Sequence, residues 1–239
     1  MNKNKTQIKI RSLILPIILL NIVIFLIQIT VPEFTSQFVL NSATVFHKPW
    51  TIITSMFMHG GVAHLFFNMY ALFLFGPLVE QRIGWKRFIV IYFISGIVAA
   101  IGFVAFQELI LGVTASALGA SGAIMAVLGL TIMFFPHLKV LFFFIVPMSL
   151  RTAGIIFVLI DVFGLFHNTG IASSAHLAGL AVGLIYGLYL LKKKKQFYEK
   201  FESRGKPQRN SRVISVRNKA DNPMMTDDEI DEYLKHGRI

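Results

Sequence analysis

Cysteine is absent from the 239 residues, and acidic residues are scarce over most of the chain. The lack of cysteine excludes a disulfide scaffold, a thiol nucleophile and any thiolate-ligated metal. Charged residues make up 15% of the chain and hydrophobic residues 55%, whereas a typical soluble domain is about 25% charged. Only four of the 12 acidic residues precede residue 192: Glu33, Glu80, Glu108 and Asp161. These proportions exclude a water-soluble globule and argue against a nucleic acid as a partner.

The chain contains several long apolar runs. A helix needs about 20 predominantly apolar residues to cross the hydrocarbon core of a bilayer. Six segments predict such spans: Ile10–Thr30, Met56–Leu78, Phe88–Glu108, Ser121–Phe135, Ser149–Phe166 and Ser174–Leu191. The chain is therefore predicted to be an all-α membrane protein of six transmembrane helices, of which the fourth is unusually short. Residues 1–191 form this predicted membrane domain.

The basic residues of the loops predict the orientation of these spans, because cytoplasmic loops carry an excess of Lys and Arg. Thirteen Lys and Arg residues next to the spans fall on one side of the predicted membrane, and Lys48 alone falls on the other. The richer side includes Lys192–Lys195, directly after the sixth span. We therefore expect a multi-pass protein of the cell membrane with both termini in the cytoplasm.

Residues 192–239 form a predicted cytoplasmic tail of basic and mixed charge. Most of it is predicted to be disordered because it contains few apolar residues, and its opening lysines favour anionic membrane lipid at about 1 kcal/mol per charge. Thr226 and Glu229 form a capping box, which predicts a short helix ending before Gly237. A solvated helix without a function and a docking site for an unidentified partner both remain open.

One cytoplasmic connection is apolar but too short to cross the membrane. Pro136–Met148 includes the run Val140–Val146. It is predicted to be a re-entrant or surface-lying segment that ends at Pro147.

Polar residues inside predicted spans are costly, so they are candidates for a functional site. His64 and Asn68 lie in the outer half of the second span, Ser121 opens the fourth, and His176 is near the start of the sixth. All three spans run inward in the predicted topology. Four polar residues from three helices are therefore expected at a similar depth, near the external face.

Each of these residues also has a purely structural interpretation. His64 and Asn68 are four residues apart, hence on one helix face, where they could simply bond across a helix pair. Ser121 could be no more than a helix cap. It could also be a nucleophile at a helix start, where free backbone N–H groups can hold an oxyanion. His176 precedes small residues at spacing four, Gly179, Gly183 and Gly187, which favour close packing on a neighbouring helix.

Asp161 is the acidic residue within the predicted fifth span. The favoured interpretation is a structural hydrogen-bonding group. The alternative is a group that orients a catalytic histidine. A metalloprotease is not favoured, because the chain has no His-Glu-x-x-His motif. A non-proteolytic membrane transporter or binding protein remains the alternative function.

An ordered series of motifs resembles the rhomboid intramembrane serine proteases over about residues 45–190. Any one of these motifs is weak, and the series in this order is specific. The motifs are His59-Gly-Gly-Val-Ala-His64-Leu-Phe-Phe-Asn68, Gly119-Ala-Ser121-Gly122, Asp161-x-x-Gly164 and Ala175-His176-x-x-Gly179.

This resemblance implies a six-helix bundle that cleaves single-span transmembrane protein substrates near the external face. It implies Ser121 as the nucleophile and His176 as its general base, a dyad that needs no acid, metal or cofactor. His64 and Asn68, together with the Ser121 backbone N–H, would bind the oxyanion. Gly119 would keep the preceding loop close to the bound carbonyl.

Two positions depart from the pattern of the family. Met125 stands where an aromatic residue often packs against the catalytic histidine, so the support for His176 is expected to be looser. Thr51 stands after Trp50 where the family commonly has arginine. Neither position is expected to take part in the chemistry.

Overall fold

The computed structural model describes residues 12–142, 145–167 and 171–205, and within these ranges it describes the side chains as far as Tyr198, apart from that of Phe142. The predicted disordered tail beyond residue 205 and its terminal helix lie outside these ranges. So do the basic residues expected to precede the first span, up to residue 11.

Helices make up most of the described chain, joined by two pairs of short strands. The helices are α1 (Ile14–Thr30), α2 (Phe34–Phe38), α3 (Thr51–Thr54), α4 (Val62–Ile83), α5 (Trp85–Ala105), α6 (Ser121–Phe134), α7 (Leu150–Gly164) and α8 (Ser173–Gly205). A 3-10 turn (Ser55–Phe57) follows α3, and a π-helical segment (Phe106–Leu111) continues α5. The strands are β1 (Leu40–Asn41), β2 (Ser116–Ala117), β3 (Lys139–Phe142) and β4 (Val146–Ser149).

Three described helical stretches are long and apolar enough to cross a bilayer: Val62–Ile83, Trp85–Leu111 and Ser173–Tyr198. Two further apolar helices, α1 and α6, are shorter, with 17 and 14 residues. The predicted helical membrane protein is confirmed at this level. Each of the six predicted spans overlaps one helix.

The bounds of the second predicted span, Met56–Leu78, differ from the structure at both ends. The helix α4 instead begins at Val62 and ends at Ile83, so His59 lies in the segment that leads into it. Gly84 follows α4 with φ 80°. That left-handed backbone favours glycine and ends the helix before α5 begins.

The helix α6 is the centre of the bundle, with every residue from Gly122 to Thr131 buried. A Cβ atom added to Gly179 would overlap the carbonyl oxygen of Gly122, and one added to Gly183 would overlap that of Ala126. The close packing predicted from the glycines of the sixth span is therefore confirmed. It brings the start of α8 beside the start of α6.

The helix α1 holds the segment before α4 through side-chain bonds. The Gln28 side-chain amide donates to the carbonyl oxygen of His59 at 2.8 Å and accepts from its backbone N–H at 3.0 Å. At the other end of α1, the buried Glu80 carboxylate accepts from the Ser12 hydroxyl at 2.6 Å and from the Leu13 N–H at 2.8 Å. The two ends of α1 are thereby bonded to the segment before α4 and to the last turn of α4.

The strand pairs correct the all-α description of the fold. β1 pairs antiparallel with β2, and β3 pairs antiparallel with β4. Pro136–Met148 was expected to end at Pro147, but Pro147 lies within β4, opposite Leu141. Aromatic and β-branched residues favour extended backbone, and the described residues of the short apolar run at its two ends, Val140–Phe142 and Val146, lie in these paired strands.

The helix α8 continues past residue 191, where the membrane domain was expected to end, through Lys192–Lys195 to Gly205. Arg82, Arg87 and Lys194, from α4, α5 and α8, line one cavity together with Phe134. Phe134 ends α6 and Ser121 begins it, about 20 Å apart along the helix. These three basic residues therefore lie at the end of the bundle opposite Ser121.

Candidate active site

Ser121 is the first residue of α6, where backbone N–H groups are not used within the helix. The turn before it is held by the Gly119 N–H, which donates to the carbonyl oxygen of Ser55 at 2.9 Å. Gly119 has φ 120°, a conformation that strongly favours glycine. These features turn the chain sharply into α6 and place Ser121 at the edge of a cavity.

His176 lies in the first turn of α8 and reaches Ser121 across the α6–α8 contact. Its Nε2 atom is 2.8 Å from the Ser121 Oγ atom. The two residues are 55 positions apart in the chain, and the glycine contacts between α6 and α8 bring them together. This distance is that of a hydrogen bond between a nucleophile and its general base.

Asp161 of α7 completes a row of three polar side chains. Its Oδ1 atom is 3.1 Å from the Nδ1 atom of His176. The Asp161 side chain is 6% exposed and that of His176 19% exposed. The acid that the sequence favoured as a structural group therefore contacts the candidate base directly.

His64 lies against the turn that precedes Ser121. A Cβ atom added to Gly119 would be 2.9 Å from His64 Nε2, so only a glycine leaves room for the ring. The Gly60 N–H donates to His64 Nδ1 at 3.2 Å. Because Nδ1 accepts this bond, a neutral ring carries its proton on Nε2, the nitrogen that faces the turn.

Asn68 is buried one helical turn after His64. Its side-chain Nδ2 atom donates to the carbonyl oxygen of His64 at 2.9 Å. Among the described residues, this is the hydrogen bond that the Asn68 side chain makes. One N–H of the amide is used in this bond, and an amide nitrogen has two. The structure thus holds His64 and Asn68 on one face, as expected, and it shows no direct bond from Asn68 to Ser121 among the described residues.

The two departures from the family pattern have structural explanations. Met125 is buried in a cluster with Leu128, Leu150 and Leu180, between α6, α7 and α8. Thr51 is also buried, and its hydroxyl donates to the carbonyl oxygen of Lys48 at 2.7 Å. Both residues therefore support the helices and loop around the site.

Two contacts of the site carry no signal in the sequence. The bond from Gly119 to Ser55 and the bond from Gly60 to His64 use backbone N–H groups. Every residue except proline has such a group, so no residue type marks these positions.

In this helical membrane protein, a serine at a helix start is hydrogen-bonded to a histidine. This arrangement is typical of serine hydrolases. The model of the rhomboid domain matches residues 47–193, more than half of the chain. The chain belongs to the rhomboid family, as its motifs indicated.

Three relatives illustrate this family. The rhomboid protein YdcA of Bacillus subtilis is 32% identical over 151 residues, 62% of this chain and 71% of its own. The mitochondrial Rhomboid protein 1 of Saccharomyces cerevisiae is 35% identical over 145 residues, 59% of this chain and 42% of its own. Rhomboid protease GluP of Bacillus subtilis is 33% identical over 137 residues, 56% of this chain and 24% of its own.

The matched region spans less than half of the length of the yeast protein and of GluP. A further relative, from Arabidopsis thaliana, is named as an inactive rhomboid-like protein. Family membership therefore supports an intramembrane protease in general.

Proposed function

We propose that this protein is an intramembrane serine endopeptidase that cleaves single-span membrane proteins near the external face of the membrane. The observation that carries the proposal is the 2.8 Å separation of Ser121 Oγ and His176 Nε2. These atoms lie at the starts of two helices that pack backbone to backbone.

In the proposed reaction His176 Nε2 accepts the Ser121 proton as the hydroxyl oxygen attacks a peptide carbonyl. The proton then passes from His176 to the leaving amine, and an acyl-enzyme remains. Water attacks the acyl-enzyme, and His176 accepts and returns a proton in the same way. The chain's own residues supply every proton transfer, so the proposal includes no metal or cofactor.

The oxyanion formed in each step needs hydrogen-bond donors beside Ser121. The backbone N–H of Ser121 is available at the start of α6. The Nε2–H of His64 faces the turn at Gly119, and Asn68 has a second amide N–H. We propose these three groups as the oxyanion site, with Gly119 allowing the close approach of the carbonyl.

The finer features of the fold follow the same proposal. Residues 1–191 would form six spans, and residues 192–239 a cytoplasmic tail. The basic residues gathered at one end of the bundle support a cytoplasmic position for that end. Ser121 would then face the external side of a cell membrane, with both termini in the cytoplasm.

Cleavage of a panel of single-span substrates in proteoliposomes tests this function. We expect Ser121→Ala and His176→Ala each to lower the rate by about 10⁴-fold or more, and the double variant to be no worse, because the pair acts as a unit. Fluorophosphonate should label the wild type and fail to label Ser121→Ala.

The control variant is Ser95→Ala, which removes a buried hydroxyl whose hydrogen bonds among the described residues stay within α5, to the carbonyl oxygens of Ile91 and Tyr92. It should cleave at nearly the wild-type rate. Full cleavage by folded Ser121→Ala would exclude the proposed function and favour a transporter or binding protein.

A further inference from the structure

We infer that Asp161 is a positioning residue for His176: it holds the ring in the orientation and tautomer that Ser121 needs. This inference deepens the proposed function and rests on it. It also goes beyond the dyad implied by the family resemblance, in which no acid is required.

The two ring nitrogens of His176 have different partners. Nε2 is 2.8 Å from Ser121 Oγ, and Nδ1 is 3.1 Å from Asp161 Oδ1. To accept the proton of Ser121, Nε2 must be free of hydrogen. The proton of the neutral ring is then on Nδ1, where only an acceptor can bind it, and a carboxylate oxygen is an acceptor.

The position of Asp161 on α7 is itself set by packing. The buried residues of α7 recur at helical spacing and include Ala153, Gly154, Asp161 and Gly164. A Cβ atom on Gly154 would overlap Ile132 of α6, so α7 lies close to α6 along this face. Asp161 is on the same face, and its carboxylate therefore points towards the interior rather than towards lipid.

Burial makes a structural role alone a poor explanation for a carboxylate. An ionisable group inside a membrane-spanning helix is costly unless it is paired. A serine or an asparagine could provide a hydrogen bond at lower cost. A carboxylate adds a negative charge, which becomes favourable when His176 takes up the Ser121 proton and turns into an imidazolium ion.

The test compares Asp161→Asn and Asp161→Glu with the wild type, per folded enzyme, with the folded fraction measured by thermal unfolding. We expect Asp161→Asn to lower kcat by about 10²- to 10⁴-fold with little change in KM, because the amide lacks the charge and can present an N–H to Nδ1. Asp161→Glu retains the carboxylate and should recover at least a tenth of the wild-type kcat.

The pH profile separates positioning from structural support. The titratable groups near His176 among the described residues are Asp161 from α7 and His64 from α4. Loss of the negative charge disfavours the imidazolium, so the acid limb of kcat in Asp161→Asn should move to lower pH. A merely structural role would lower the rate without moving this limb.

The matched control is Thr131→Val, which removes a buried hydroxyl whose hydrogen bond, within the part of the chain that the structure describes, goes to the carbonyl oxygen of Val127 of the same helix at 2.8 Å. It should leave kcat and the pH profile unchanged. The inference is overturned if folded Asp161→Asn has the wild-type kcat. It is also overturned if Asp161→Asn loses activity, Asp161→Glu does not recover it, and the acid limb of kcat stays in place. If Ser121→Ala also cleaves, the proposed function has failed; if Ser121→Ala is inactive, only the role of Asp161 has failed.

Discussion

Gly119 is the residue whose replacement best tests the geometry around the nucleophile. It has φ 120°, and a Cβ atom there would be 2.8 Å from His64 Cε1 and 3.7 Å from Ser121 Oγ. The imidazole ring cannot yield without changing its bond from the Gly60 N–H. Glycine at this position therefore serves both the backbone turn and the placement of His64.

We expect Gly119→Ala to lower kcat by about 10²- to 10³-fold, the usual cost of losing one oxyanion donor. The strained backbone should also lower the free energy of unfolding by about 1–3 kcal/mol. Substrate cleavage and thermal unfolding in detergent micelles measure the two effects.

The control for this prediction is Gly112→Ala. Gly112 has φ 63°, and a Cβ atom there would have no atom of the described residues within 4 Å. The substitution Gly112→Ala therefore introduces backbone strain without displacing a residue of the site. Equal losses of kcat in the two variants would mean that strain alone, and not His64, explains the effect.

Asn68→Ala should be less harmful than the loss of the nucleophile or the base. Other oxyanion donors would remain, so a rate loss of about 10²- to 10³-fold is expected, and cleavage should still be measurable. The same substrate assay provides the comparison with Ser121→Ala. Complete inactivity of a folded Asn68→Ala variant would contradict this ranking.

Among the elements, the contact between α6 and α8 determines whether the site exists. A Cβ atom on Gly183 would be 2.7 Å from the Cα atom of Ala126 and would overlap its carbonyl oxygen. These are backbone atoms, so they can move only if the helices separate. The same separation would lengthen the bond between Ser121 and His176.

We expect Gly183→Ala to lower the free energy of unfolding by about 1–3 kcal/mol, as overpacking of a core does, and to reduce cleavage in the protein that remains folded. Ala181→Val is the control, because Ala181 is on the exposed face of the same helix. Normal cleavage by Gly183→Ala would show that the site tolerates a wider spacing of α6 and α8.

At the scale of the whole molecule, the position of the site in the membrane decides which substrates it can cut. A peptide must be extended to enter a serine protease site, whereas a transmembrane helix bonds all its backbone groups internally. Helix-breaking residues near the external end of a substrate would supply an extended segment beside Ser121. The cavity there is lined mostly by small residues, including Gly96, Ala99 and Ala100, beside a few large ones such as Phe103, and this favours a small side chain at the cleaved position.

We therefore expect cleavage near the external end of single-span substrates that contain Gly, Pro or polar residues there. Replacing these residues with Leu should slow cleavage, and moving them to the cytoplasmic end should stop it. Mass spectrometry of the products locates the cut. A cut in the cytoplasmic half would contradict both the proposed topology and the proposed site.

The sequence alone determined those features that local signals encode. Apolar runs located the helices, the spacing of Gly179 and Gly183 indicated close packing, and the motifs around Ser121 and His176 marked the candidate pair. Short apolar segments were less informative, because a run such as Val140–Val146 suits a strand as well as a helix. Periodicity cannot distinguish the two at that length.

Only the tertiary structure decided which side chains meet. The contact of Asp161 with His176 depends on the rotation of α7 and α8 about their axes, and the proton position on His64 depends on a backbone N–H of Gly60. The contact of Asp161 with His176 results from packing between two helices, as the bond from Gly119 to Ser55 results from packing between distant parts of the chain. The bond from Gly60 to His64, in contrast, spans only four residues but depends on the exact backbone path into α4. A sequence records the residue types but not these rotations, because a rotation is set by all the contacts of a helix together.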